Sequence, residues 1–145
     1  MTAKEFEMTL PELSRRVSES TGQSRELDGE VARAIGWSTF MFGGAGLCWK
    51  DAAGEIFPCP PSYTASLDAV VALIAEKLPG RIAVTVEIFP LRNGGFAASC
   101  SICEYVGERT TKHLGSSSLC KTEPLARLSA ALLAIHERNK SDDNR

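Results

Sequence analysis

Residues 81–106, RIAVTVEIFPLRNGGFAASCSICEYV, decide the fold class that this sequence predicts. In the first half of the stretch, apolar side chains alternate with polar or small ones, which is the pattern of a strand with one buried face. The apolar positions are Ile82, Val84, Val86 and Ile88. Asn93-Gly94 follows, and an Asn-Gly pair between two strand-like runs is among the strongest signals of a β-hairpin. The stretch therefore predicts an antiparallel hairpin of residues 82–90 and 95–104.

Helical patterns precede and follow the hairpin in the sequence. The spacing of their apolar residues predicts four helices, near 10–20, 24–35, 65–78 and 123–138. Between the second and third helices, the aromatic, glycine-broken run 37–57 predicts two or three short strands. The order α-α-β-β-α-β-β-α indicates an α+β protein, with helices packed on a mainly antiparallel sheet as an α-β-α sandwich. We expect one domain over 1–138 and a flexible polar tail over 139–145.

Composition and charge argue against several classes of function. The chain has a net charge of −2 and no run of basic residues, so it lacks the electrostatic footprint of a nucleic-acid-binding protein. No apolar run approaches the roughly 20 residues that span a bilayer, and the N-terminus lacks the basic-then-apolar order of a signal peptide. The five cysteines, an odd number, indicate reduced thiols rather than a disulfide framework. We therefore expect a cytoplasmic protein without nucleic-acid or membrane partners.

The stretch PPSYTASLDAVVALI, residues 60–74, has two interpretations. In the first it starts a helix, with Thr64 or Ser66 accepting hydrogen bonds from first-turn amides and the charge of Asp68 suiting the helix dipole. In the second it is an anion site, because helix N-termini attract phosphate groups. Asp68 would repel such a group, and the stretch contains no lysine or arginine. The helix start is therefore favoured, with Thr64, Ser66 and Asp68 in helix-capping roles.

Three segments resemble the phage ABA-sandwich family, small proteins encoded by phages and prophages. The segments are TGQSRELDGEVARAIGW (21–37), PPSYTASLDAVVALI (60–74) and EPLARLSAALLA (123–134), with Trp49 and Gly54 between the first two. Residues 81–121 depart from the family pattern, with a hairpin, a CxxC pair and a serine run of their own. The resemblance implies a sheet between helical layers and a phage or prophage origin. It implies no particular activity for any numbered residue.

Cys100-Ser-Ile-Cys103, with His113 and Cys120 downstream, is the strongest candidate for a metal site. Three thiols and an imidazole form a ligand set that zinc accepts. On a regular strand, however, Cys100 and Cys103 point to opposite faces and cannot bind one ion together. We therefore predict no zinc and no cofactor, and we interpret the cysteines as unlinked thiols.

The expected place for a small-molecule site is the aromatic surface beside the glycine-rich turn at 42–46. The candidate residues are Trp37, Trp49 and Tyr63 for stacking a ring, and Arg33 and Arg25 for binding an anion. Core packing is the favoured interpretation of Trp37 and Trp49, and the ligand surface applies only if the protein binds a small molecule. The FGGAG stretch does not complete a G-x-G-x-x-G nucleotide-binding motif, so a hairpin turn is the default interpretation.

The sequence contains no recognisable catalytic residues, because neither histidine accompanies a nucleophile motif. We therefore predict a non-enzymatic phage accessory protein that acts by binding. Its target would be a host protein or a small nucleotide-type signal used in bacterial defence. Two alternatives stay open, a small Cys/His-dependent hydrolase or transferase and a virion or assembly component. The sequence also leaves open whether the chain forms a homo-oligomer.

Overall fold

The described part of the protein folds as four α-helices and two three-stranded antiparallel sheets. The structure is a computed structural model that describes residues 8–143. The helices are α1 (Leu10–Glu19), α2 (Arg25–Ala34), α3 (Leu67–Lys77) and α4 (Glu123–Asp143). The strands are β1 (Ser38–Met41), β2 (Leu47–Lys50), β3 (Ile56–Phe57), β4 (Ile82–Pro90), β5 (Phe96–Tyr105) and β6 (Thr111–Ser116). The sheets have the orders β1-β2-β3 and β4-β5-β6, and no described helix is long and apolar enough to cross a bilayer.

The α+β class, the four helices and the hairpin are confirmed. β4 and β5 pair from Ile82 to Pro90, and the Leu91 amide donates to the Gly95 carbonyl at 2.7 Å to close the turn. β1, β2 and β3 fill the range in which two or three short strands were predicted, and β6 adds to the predicted order. β6 escaped prediction because Leu114 is its only large apolar residue, so the strand carries no alternating pattern of its own. β6 forms as a strand because it pairs with β5.

α4 lies at the centre of the hydrophobic core. Side chains on several sides of this helix are buried, namely Leu125, Ala126, Leu128, Ala130, Ala131, Leu132, Ala134 and Ile135. One side of α4 packs on the β4-β5-β6 sheet, and another packs on α1 and α3. The expected packing of helices on an antiparallel sheet is confirmed. The structure specifies the layer order as sheet, then α4, then α1 and α3.

The two faces of the β4-β5-β6 sheet differ in polarity. The face against α4 contributes alternate residues to the core, namely Ile82, Val84, Val86, Ala98, Cys100 and Ile102. The opposite face, which we call the open face, carries Thr85, Glu87, Ser99 and Ser101 in its middle. These side chains are exposed or half-buried, since hydroxyl and carboxylate groups lose hydration when they are buried without partners.

The start of α3 is set by Ser66. Its hydroxyl accepts a hydrogen bond from the Ala69 amide at 3.2 Å, and Asp68 lies in the first turn, as expected for a residue that suits the helix dipole. The other predicted cap, Thr64, does not cap this helix. Its side chain is buried and bonds to Asp28 and Ser24 of the α2 region instead.

Ser66→Ala is expected to lower the free energy of unfolding by about 0.5–2 kcal/mol, because it leaves a first-turn amide without its acceptor. Asp68→Asn should cost less, about 0.3–1 kcal/mol, and that loss should shrink with added salt because it is an interaction with the helix dipole. Urea denaturation at low and high salt measures both. An equal, salt-independent loss in the two variants would contradict the assigned roles.

α4 continues past residue 138 into the segment predicted as a polar tail. Residues 139–143 are helical, and residues 144–145 of the predicted tail lie outside the described part of the chain. The Arg138 guanidinium donates to the Pro79 carbonyl at 2.8 Å and also bonds to the Glu104 carboxylate. These contacts join α4 to the segment that follows α3 and to the end of β5.

Candidate functional site

The predicted ring-stacking residues Trp49 and Tyr63 lie in the interior. Trp49 is 8% exposed and packs against α2, where a Cβ added to Gly29 would lie 3.1 Å from the indole ring. Tyr63 is 4% exposed, and its burial, with a smaller effect from nearby carboxylates, raises the pKa of its hydroxyl to about 12. The predicted ligand surface is therefore not formed by these residues. The core-packing interpretation holds for these two residues, since Trp49 contacts Gly29 and Arg33 of α2 and Tyr63 is buried.

The other candidate residues do not assemble into an open site. Trp37 is half-buried against Phe57, with ring centroids 5.3 Å apart. The Arg33 guanidinium carbon lies 5.0 Å from the centroid of the Trp49 ring, within range of a cation–π interaction. Arg25 is the exposed first residue of α2. Of this set the structure brings Arg33 and Trp49 together, and their contact covers the indole.

A buried hydrogen-bond network joins α2 to the segment that precedes α3. Asp28 Oδ1 accepts hydrogen bonds from the backbone amide and the hydroxyl of Thr64, both at 2.8 Å. The same hydroxyl accepts from the Ser24 amide at 2.8 Å. Asp28 and Thr64 are each 1% exposed. The network therefore holds together two segments that are 36 residues apart in the sequence.

Sequence reasoning missed Asp28, although a signal was present. The buried side chains of α2 and its C-terminus include Leu27, Val31, Ala32 and Ile35, and Asp28 lies among them, one turn before Ala32. An acidic residue on the apolar stripe of an amphipathic helix needs a hydrogen-bonding partner. Its second carboxylate oxygen, Oδ2, is buried without a hydrogen-bond partner among the described residues. The network positions two elements and leaves no reacting group accessible, so its role is structural.

The cysteine and histidine candidates are divided between the two faces of the β4-β5-β6 sheet. Cys100 and Cys120 are each 2% exposed within the core, whereas Cys103 and His113 are register partners on the open face. The prediction that Cys100 and Cys103 point apart is confirmed. Burial raises the pKa of Cys100 to about 11 and also raises that of Cys120, so both thiols are protonated at neutral pH and are poor nucleophiles. Within residues 8–143, no three His, Cys, Asp or Glu side chains are grouped to hold a metal ion.

The β1-β2-β3 sheet exposes a row of apolar side chains on the face away from Trp49. Phe40 and Phe42 meet edge to face, with centroids 6.2 Å apart, and Lys50 Nζ lies 6.0 Å from the Phe40 ring centroid. Lys50 is in turn the register partner of Ile56. Phe42 is 62% exposed and Ile56 is 54% exposed. We call Phe40, Phe42, Lys50 and Ile56 the outer face.

The turn between β1 and β2 adds further apolar surface. Met41 and Leu47 are register partners that flank the turn, and they are 71% and 50% exposed. The Phe42 amide donates to the Gly46 carbonyl at 2.9 Å, which closes a hairpin around the glycine-rich stretch. The hairpin-turn interpretation of FGGAG is therefore confirmed. Because side chains alternate along a strand, Met41 and Leu47 lie on the Trp49 face of the sheet, at its exposed turn end.

No protein-family model, curated protein or solved structure matches this chain. The resemblance to the phage ABA-sandwich family therefore stays a prediction from the three sequence segments. The exposed outer face and the buried Asp28–Thr64 network are the structural features that bear on function and stability.

Proposed function

We propose that this protein is a non-enzymatic binding protein, an accessory protein of a phage or prophage, and that a host protein docks on its outer face. The observation that carries the proposal is the exposure of Phe42 and Ile56 on one face of a small sheet. Monomeric soluble proteins rarely expose large contiguous apolar patches, and such patches often mark interaction surfaces.

The composition of the outer face indicates the chemistry of its target. Aromatic side chains are enriched among the residues that dominate protein–protein binding energy, and Phe40 and Phe42 supply two that already contact each other. Lys50 places a positive charge beside the Phe40 ring. A complementary target surface would therefore be apolar at its centre, with a carboxylate that faces Lys50.

A small nucleotide-type signal, the other predicted target, has less support than a protein. That interpretation depended on Trp49 and Tyr63 as accessible stacking residues, and both are packed in the core. The phage origin is supported by the resemblance of the three sequence segments, and the proposed role against host defence rests on that origin. Binding by the outer face is supported separately by the exposure of its side chains.

The double substitution Phe42→Ser with Ile56→Ser is expected to weaken target binding by about 30-fold or more, because anchor residues of this kind contribute about 2 kcal/mol or more. Affinity purification of the chain from bacterial host cells identifies the target, and calorimetry with the purified target measures its affinity. Lys50→Glu should also weaken binding, mainly by slowing association.

Leu119→Ser is the matched control. Leu119 is 58% exposed and lies outside the β1-β2-β3 sheet, so its replacement should leave both target affinity and the free energy of unfolding unchanged. Normal binding by the double variant would show that the outer face is not the docking surface. So would an equal loss of affinity in the Leu119 variant.

A further inference from the structure

Backbone hydrogen bonds between β5 and residues 117–120 show to which side each β5 residue points its N–H and C=O groups. Ala98 and Cys120 exchange two backbone hydrogen bonds, at 2.8 and 2.7 Å, and the Ser117 amide donates to the Cys100 carbonyl at 2.8 Å. The backbone groups of these even-numbered β5 residues therefore point away from β4. Because hydrogen-bonding direction alternates along a strand, the odd-numbered β5 residues bond to β4.

The register between β4 and β5 then shows which β4 residues hydrogen-bond to β5 and which do not. Val86 is opposite Cys100 and Val84 is opposite Ile102, so the even-numbered residues of β4 are in pairs that do not hydrogen-bond to β5. Their N–H and C=O groups point to the free edge of the sheet, because among the described residues β5 is the one strand that pairs with β4. The residues with outward groups are Ile82, Val84, Val86 and Ile88.

Apart from the exposed carboxylate of Glu87, this edge lacks the features that usually prevent strand pairing. Natural edge strands are shielded by lysine side chains, by β-bulges or by proline. The opposite edge strand, β6, has both Lys112 and an irregular register beside Ile102 and Cys103. β4 pairs with β5 without interruption, and its proline, Pro90, is the last residue of the strand. The unshielded edge therefore extends from Ile82 to Ile88.

We propose that the free edge of β4 pairs antiparallel with β4 of a second copy of this chain about a two-fold axis. In the register that places Thr85 opposite Thr85 of the partner subunit, Ile82 lies opposite Ile88 and Val84 lies opposite Val86. All four outward amides and all four outward carbonyls then find partners. A shift that brings Pro90 into the pairing would place a residue without an N–H where a donor is needed.

The side chains fit the same register. Glu87 lies opposite Ala83 of the partner subunit and diagonal to Arg81 of the partner subunit, so opposite charges are neighbours and no like charges face each other. Ile88, which is 53% exposed, lies opposite Ile82 of the partner subunit. A second copy is favoured over an unrelated peptide because the edge is complementary to itself. The dimer contains a continuous six-stranded sheet and leaves the outer face free for the target.

Thr85→Lys tests the register, because it puts two positive charges opposite each other at the two-fold axis. The expected result is a dimeric native chain in sedimentation, with a dimer dissociation constant raised roughly tenfold or more in the variant. Thr111→Lys is the control, since Thr111 is exposed on the open face at the far strand, β6. An equimolar mixture of Thr85→Lys and Thr85→Glu chains should recover the dimer.

Amide hydrogen exchange supplies an independent readout. Protection of the Ile82, Val84, Val86 and Ile88 amides should rise with protein concentration, while Thr85 and Glu87 are protected at all concentrations by β5. A native chain that stays monomeric at the concentrations used for NMR would overturn the proposal. A dimer that resists Thr85→Lys, or that is weakened equally by Thr111→Lys, would place the interface elsewhere. Concentration-independent protection of the four outward amides would show that another part of the same chain covers the edge.

Discussion

Thr64→Val is expected to lower the free energy of unfolding by about 2–4 kcal/mol, although it preserves the shape of the side chain. The substitution removes the hydroxyl that donates to Asp28 Oδ1 and accepts from the Ser24 amide, both at 2.8 Å. Asp28 is 1% exposed, and its Oδ2 already has no partner among the described residues. A hydrogen bond to a buried carboxylate contributes more than a neutral one, and its loss leaves two polar groups incompletely satisfied.

Thr64→Ser is the matched control, because it keeps the hydroxyl and removes one methyl group. Equilibrium denaturation should show it to be clearly more stable than Thr64→Val. Combining Thr64→Val with Asp28→Ala should cost less than the sum of the two single losses, because the groups act on each other. If valine and serine at position 64 had equal effects, the hydroxyl would not be the source of stability. If the losses in free energy of unfolding from Thr64→Val and Asp28→Ala simply added in the double variant, the hydroxyl would again not be the source of stability.

Gly115→Ala is expected to cost about 3 kcal/mol, at the upper end of the range for overpacked cores. Gly115 lies in β6 where this strand meets α4. An added Cβ would lie 2.7 Å from the Ala130 carbonyl oxygen and 2.8 Å from the Ala134 amide nitrogen. Both contacts are with helix backbone, which cannot rotate away as a side chain would. β6 would therefore have to move away from α4, with loss of packing along the whole contact.

Gly107→Ala provides the comparison for Gly115→Ala in thermal and urea denaturation. The nearest atom to a Cβ at Gly107 is the Thr110 Cβ at 3.9 Å, an ordinary contact, and neither glycine has a positive φ. The Gly107 variant should therefore keep native stability. A Gly115 variant as stable as the Gly107 variant would show that β6 and α4 can separate at little cost.

The helices and the main hairpin were predictable because their causes are local. Ser24 and Ser66 accept bonds from amides three residues ahead, so the start of each helix is encoded within one turn. The β4–β5 turn likewise depends on Asn93 and Gly94, and Gly94 has φ +89. The opposite orientations of Cys100 and Cys103 followed from the two-residue period of a strand. Each of these features is determined by residues close together in the sequence.

The candidate sites were less predictable, because exposure is a property of packing. Two aromatic residues on either side of the glycine-rich turn differ in exposure, since Trp49 is 8% exposed and Phe42 is 62% exposed. Which of the two rings is buried depends on which face of the β1-β2-β3 sheet packs against α2, and both faces carry large apolar side chains. The sequence pattern therefore indicated an aromatic sheet without showing which ring was accessible.

The sequence by itself determined the α+β class, the positions of the helices and the antiparallel hairpin, through short-range hydrogen bonding and the periodicity of apolar residues. The tertiary structure alone decided that α4 is the central layer, that β6 completes the sheet and that Thr64 bonds to Asp28 rather than capping α3. The physical reason is the distance along the chain between the groups involved. A hydroxyl that can satisfy a nearby amide can equally satisfy a carboxylate 36 residues away, and the packing of α2 against the α3 entry selects the second partner.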